Sequence, residues 1–199
     1  MNGQAGAPPD DFSVNGQNWG FPTYNWDIME KDHFSWWKKR FHKLSDYFDC
    51  FRIDHILGFF RIWEVPLDYI QGLCGHFNPA LPFTREEIEQ YGLTFNEARF
   101  TTPHINRKFL PELFGDLAEE VEGTYLAQSS SNHFVLKSFC DTQRKIEAIF
   151  GGKTDEMSLR LKDGLFAIAN EVLFLRDPQE KEKFHPRISA SHSYIYSEL

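Results

Sequence analysis

Arg52, Asp54 and His55 lie within one short run, Phe51-Arg52-Ile53-Asp54-His55. An arginine, an acid and a histidine delivered to one point are poor core material and good active-site material. The carboxylate suits covalent work, with its charge state held by the neighbouring cation. Phe51 and Ile53 alternate with Arg52 and Asp54, so the spacing predicts a strand that buries two residues and presents two charged ones. The plainer reading is a structural ion pair between Arg52 and Asp54, and the pentapeptide alone leaves both open.

Such a strand has to be positioned by what surrounds it. Residues 1–25 read as a loop, because Gly, Pro, Asn and Asp are dense from Pro8 to Asp11 and from Asn15 to Pro22. From about Trp26 to Phe48 the pattern is helical, with Ile28, Phe34, Trp37, Phe41, Leu44 and Phe48 recurring at spacings of three, four and six. Helix followed closely by strand is the αβ half of a βαβ unit, which favours a parallel sheet. Ile56 to Val65 is apolar, pivots only at Gly58 and ends at Pro66, as a buried loop or short helix would. Residues 1–66 thus form the first of three expected parts.

Residues 67–152 read as a mainly helical insertion. Thr84-Arg85-Glu86-Glu87 has the makings of a helix start, and helices are expected at Leu110–Glu122 and Asn132–Phe150 before Gly151-Gly152 closes the segment. Residues 153–199 begin with a helix at Asp155–Lys162, and the apolar run Leu165–Leu175 predicts one or two buried strands. The final Tyr194–Leu199 stretch has no stop signal and reads as halting within an element.

Composition excludes several classes. A net charge of −8 weighs against nucleic acid as the main partner, because phosphate binding needs a basic face. Hydrophobic residues at 41% argue against disorder. An aromatic share of 16%, with 20 phenylalanines, fits either a large aromatic core or stacking faces for a flat, neutral ligand such as a sugar ring. Cys50, Cys74 and Cys140 show no CxxC spacing, so neither a disulfide framework nor a zinc ribbon is indicated and a reducing compartment is expected. No apolar run approaches the ~20 residues that span a bilayer, and Met1–Pro9 lacks the plan of a signal peptide. A cytoplasmic protein without membrane contact is the expectation.

Two motifs and the helix between them carry a resemblance. Gly16-Gln17-Asn18-Trp19-Gly20-Phe21-Pro22-Thr23-Tyr24-Asn25-Trp26 and then Phe51-Arg52-Ile53-Asp54-His55 with Gly58-Phe59 resemble the 4-α-glucanotransferases. These are the amylomaltases or disproportionating enzymes of glycoside hydrolase family 77. Phe21 stands where the usual spelling has Asn, and this, with Ile56–Glu64, is most similar to the plant and protist cytosolic branch, disproportionating enzyme 2, which acts on maltose. The insertion resembles that branch more loosely.

The resemblance implies an α/β architecture, part of a (β/α)8 TIM barrel with a mainly helical insertion and the site at the carboxyl ends of the strands. It implies retaining transfer of α-1,4-linked glucosyl units from maltose or maltooligosaccharides to glycogen or a soluble heteroglycan. Asp54 would be the nucleophile, with Arg52 orienting it and keeping it ionised. His55 would donate to sugar hydroxyls, and Gln17 and Trp19 would form a substrate loop. No cofactor or metal is implied, and the histidines, His185 and His192 among them, lack metal-ligand spacing. The second catalytic carboxyl group, in its Gly-Glu-Asp-Leu-Gly-like setting, is not found, nor is the later His-Asp pair. Glu171 and Glu198 are late acids in tempting contexts but lack the family's surroundings. The expectation is therefore an internal fragment, inactive alone, missing the barrel's first strands. The alternatives are a carbohydrate-binding module using Trp19, Tyr24 and Trp26, or a hydrolase of the α-amylase clan, whose signature lacks the Gly-Gln-x-Trp-Gly loop.

Overall fold

The computed structural model describes residues 3–199. The part of the 1–25 loop reading that concerns Met1 and Asn2 lies outside the described residues. The chain begins with β1 (Gly3–Ala7), β2 (Gln17–Pro22), α1 (Trp26–Lys31) and α2 (Ser35–Ser45). A 3₁₀ turn at Ile56–Phe59 then leads into β3 (Ile62–Pro66) and β4 (His76–Asn78). The four strands form one sheet, ordered β2-β1-β3-β4, with every neighbour antiparallel. Two strands thus stand where Gly, Pro and Asn density predicted a loop. Glycine is what lets them pack, since a Cβ at Gly6 would collide with the Gln17 carbonyl of the adjoining strand.

The expected strand at Cys50–Asp54 does not form. A strand is held by ladder hydrogen bonds to a neighbour, and no described segment pairs with these residues. With no sheet beneath it the alternation has no face to bury, and Phe51 and Ile53 remain 47% and 40% exposed. The parallel pairing expected from the helix-then-strand order is likewise absent among the described residues, where all the strand pairs are antiparallel. The expected Trp26–Phe48 helix is two helices, broken where His33 and Phe34 take positive φ values of 58° and 57°. Ile56, Leu57 and Phe60, expected to be buried, are exposed.

The rest of the chain is a mixture of helices and short strands. In order these are β5 (Phe83–Thr84), α3 (Arg85–Gln90), α4 (Glu97–Phe100), β6 (Ile105–Asn106), α5 (Leu110–Phe114) and α6 (Ala118–Tyr125). Then follow β7 (Leu126–Gln128), β8 (His133–Leu136), α7 (Gln143–Phe150), α8 (Glu156–Ala169), β9 (Phe174–Arg176) and β10 (Lys183–Pro186). Two further antiparallel sheets run β5-β10-β9 and β6-β8-β7. The helix start at Thr84 is a full capping box: Glu87 N donates to Thr84 Oγ1 at 3.3 Å and Thr84 N to Glu87 Oε2 at 2.8 Å. Of the run expected as buried strands at Leu165–Leu175, Leu165–Ala169 is instead the buried end of α8, whose start Asp155 caps, while Phe174 and Leu175 do lie on strand β9.

Two clusters make the core. One joins α5, α6, α7 and α8 through Phe114, Val121, Ile146 and Leu165, and the other gathers Ile88, Phe95, Phe100, Phe184 and Ile195. Neither α1 nor α2 buries a residue completely. Among the described residues no helix is long and apolar enough to cross a membrane.

Candidate active site

Of the residues singled out by spacing, Trp19, Arg52, Asp54 and His55 line one groove, and Gln17 adjoins it through Trp19. Gln17 and Trp19 are two apart on β2, so their side chains share a face, and Trp19 Nε1 donates to Gln17 Oε1 at 2.9 Å. They lie on a strand rather than in the expected loop. The Trp19 ring meets His55 edge to face, with centroids 5.3 Å apart. His55 takes a left-handed conformation, φ 50°, at the entrance to the Ile56–Phe59 turn. Gly58 leaves room for this imidazole, because a Cβ there would sit 2.8 Å from His55 Cδ2.

Arg52 Nη2 donates to Asp54 Oδ1 at 3.0 Å. The pair forms across an irregular backbone, and its side chains are 87% and 84% exposed. At that exposure an ion pair contributes on the order of 0–1 kcal/mol, so it is no structural anchor. It orients the carboxylate at the edge of a groove of ≈ 720 Å³ that Trp19, Arg52, Asp54 and His55 all line.

Aromatic rings build the walls. Trp37 stacks near Phe41 with centroids 5.3 Å apart, and Phe41 on Phe51 at 5.0 Å. Tyr24 and Phe59 approach Trp37 at 5.2 and 5.0 Å. The helical stripe through Trp37 and Phe41, which periodicity assigns to packing, therefore faces the groove. Trp37 Nε1 is buried without an acceptor among the described residues. No sequence signal separates such a donor from an ordinary packed indole; only its lack of a partner does.

Asp54 is the single acid lining the groove among the described residues. Glu171 and Glu198 lie elsewhere. Glu171 accepts from Tyr194 N at 2.8 Å, and burial pushes its carboxyl up against the pull of Arg187. Chemically the groove offers stacking faces, an oriented carboxylate and an imidazole. It offers no second carboxyl group.

The chain is similar to proteins of one family. The family model described as 4-alpha-glucanotransferase matches residues 1–163. The 4-alpha-glucanotransferase DPE2 of Oryza sativa subsp. japonica is 38% identical over 204 aligned residues, covering 100% of this chain and 22% of that protein. The chloroplastic/amyloplastic 4-alpha-glucanotransferase of Solanum tuberosum is 56% identical over 90 residues, 44% of this chain and 16% of that protein. A solved amylomaltase from Streptococcus agalactiae in complex with acarbose aligns over 83% of this chain and 39% of its own, at 22% identity and a TM-score of 0.37. The chain thus spans about a fifth of the length of these curated relatives. With a family match over most of its residues, this chain belongs to the 4-α-glucanotransferase family, glycoside hydrolase family 77.

Proposed function

We propose that this chain is the nucleophile-bearing segment of a 4-α-glucanotransferase. Its reaction is retaining transfer of α-1,4-linked glucosyl units from maltose or a maltooligosaccharide to a glucan acceptor. The observation that carries this reading is the meeting of Asp54, Arg52, His55 and Trp19 at one aromatic groove. Asp54 attacks the anomeric carbon and forms a glycosyl ester, while Arg52 aims its carboxylate. Trp19 and the neighbouring rings stack on the C–H faces of glucose, and Gln17 fixes the Trp19 indole. His55 is a donor for sugar hydroxyls. In this reading residues 1–66 are a barrel segment of a (β/α)8 fold, 67–152 an inserted subdomain and 153–199 a return to the barrel. Glycogen or a soluble heteroglycan is the expected acceptor. The thiols Cys74 and Cys140, buried and unpaired, support a reducing, cytoplasmic setting.

Retaining transfer also needs an acid and base about 5–5.5 Å from the nucleophile. Among the described residues no other acid lines the groove beside Asp54. In this reading the acid is supplied by a part of the enzyme outside this groove, and general acid catalysis of this kind contributes roughly 10²–10⁴-fold. The test has two arms. The 199-residue chain incubated with maltose and glycogen should release no sustained glucose. In a longer protein of full relative length carrying this sequence, Asp54→Asn should lower transfer by on the order of 10⁴-fold or more while glucan affinity persists. Undiminished transfer in that variant would remove Asp54 from the chemistry.

A further inference from the structure

A second cluster of chemistry-bearing side chains lies at the β6-β8-β7 sheet and lines a cavity that shares no residue with the groove. His104 immediately precedes β6 and His133 opens β8, where Asn106 and His133 are register partners. Glu198 comes from the 3₁₀ turn at Tyr196–Glu198, far along the chain. His104 Nε2 and Glu198 Oε2 are 2.6 Å apart, and the two imidazole centroids are 5.2 Å apart. One donor atom from each of the three residues falls within 4.8 Å of the other two. His104 is only 8% exposed, yet all three side chains line a cavity of ≈ 690 Å³.

We propose that His104, His133 and Glu198 bind a divalent transition-metal ion of the zinc class. Two imidazoles and one carboxylate, with a further position open to a cavity, are a donor set that this ion favours. A tetrahedral ion with bonds of about 2.0–2.2 Å holds its ligand atoms roughly 3.3–3.6 Å apart. The His104–Glu198 separation of 2.6 Å is below that span and every separation lies within 4.8 Å, so the side chains must adjust to close on one ion. The ion replaces the proton between His104 and Glu198, and that ring proton passes to Nδ1 of the same imidazole. Ser130 Oγ lies 3.2 Å from His133 Nδ1, so this contact occupies Nδ1 and leaves Nε2 of that ring for the ion when Nδ1–H donates to the hydroxyl.

Lys108 is the competitor. Its Nζ is 2.5 Å from Glu198 Oε1, and Asn106 Nδ2 donates to the same oxygen at 3.3 Å. Both occupy Oε1 and leave Oε2 to the ion, but the ammonium charge opposes a second cation. A bound ion would fasten the Tyr196–Glu198 turn to β6 and β8, where Arg99 Nη2 already holds the Glu198 carbonyl at 3.2 Å.

Calorimetric titration of Zn²⁺ into the metal-free 199-residue chain tests this, with Co²⁺ absorption as a geometry probe. One equivalent should bind, with tetrahedral Co²⁺ bands. His133→Ala should weaken affinity at least about 100-fold. Lys108→Met should tighten it, an effect in the opposite direction that general loss of structure does not produce. His185→Ala should leave binding unchanged, although His76 and His185 stack at 4.4 Å beside Asp177 and are the obvious rival. No binding by the unaltered chain would overturn the proposal. So would loss of binding in His185→Ala, or unchanged binding in both His133→Ala and Lys108→Met.

Discussion

The Gln143 carboxamide, 1% exposed at the start of α7, joins three parts of the chain. Its oxygen accepts from the backbone N–H groups of Ile70 and Gln71 at 2.8 and 2.9 Å. Its nitrogen donates to Asn170 Oδ1 at 3.0 Å, just beyond α8. Truncating this side chain leaves two part-buried backbone donors unpaired, each costing about 1–3 kcal/mol. Gln143→Ala should therefore lower unfolding stability by about 3 kcal/mol, read from the urea midpoint at unchanged slope. The same comparison explains what was legible at this scale. Arg52, Asp54 and His55 could be read because their chemistry is packed into adjacent positions. Gln143 could not, because two of its partners lie 73 and 72 residues away. His104 and Glu198 were hidden for the same reason, at a separation of 94.

Elements were legible where the signal is local to the chain. Thr84 with Glu87 fixes the start of α3, and Asp155, accepting from Ser158 N at 2.9 Å, fixes the start of α8. The apolar run after Gly164 misleads because a helix buried on several sides loses its polar stripe and resembles a buried strand. The missing strand at Cys50–Asp54 fails for the converse reason: its alternation is genuine, but pairing depends on neighbours that local pattern does not reveal. Gly164 within α8 offers an element-scale test. Helix propensity alone gives Gly→Ala a gain of about 1 kcal/mol. Packing opposes it, since a Cβ there would meet the Phe114 ring, at 2.7 Å from Cζ, and that ring is 2% exposed. Forcing a methyl group into a filled core costs typically 1–3 kcal/mol. Because Phe114 is held between α5 and α8, packing wins. Gly164→Ala should lower the thermal midpoint, and Phe114→Leu made with it should recover part of the loss.

Across the whole molecule, acid should loosen the join between two sheets. His76 on β4 stacks against His185 on β10, with ring centroids 4.4 Å apart, so this contact links the β2-β1-β3-β4 sheet to the β5-β10-β9 sheet. Burial pushes the His76 imidazole down to about 4, the His185 ring adds to the depression, and Asp177 opposes it. The folded chain thus resists a proton that the unfolded chain takes up near the ordinary value of about 6.5. Stability is undiminished by His76 above pH 6.5. It falls as pH drops below that value and levels off near 4, by up to about 3 kcal/mol in all. Asp177 adds to the fall: burial raises its carboxyl, but the Glu180 backbone N–H and His185 outweigh burial and hold it below the usual range. Glu171, held above that range mainly by burial, works the other way. Comparing the unaltered chain with His76→Phe separates these contributions, because the variant keeps a ring in the stack and removes only the titrating group. Urea midpoints measured from pH 7.5 to 4 should fall more steeply for the unaltered chain than for His76→Phe. Parallel slopes in the two proteins would show that His76 is protonated as readily in the fold as outside it.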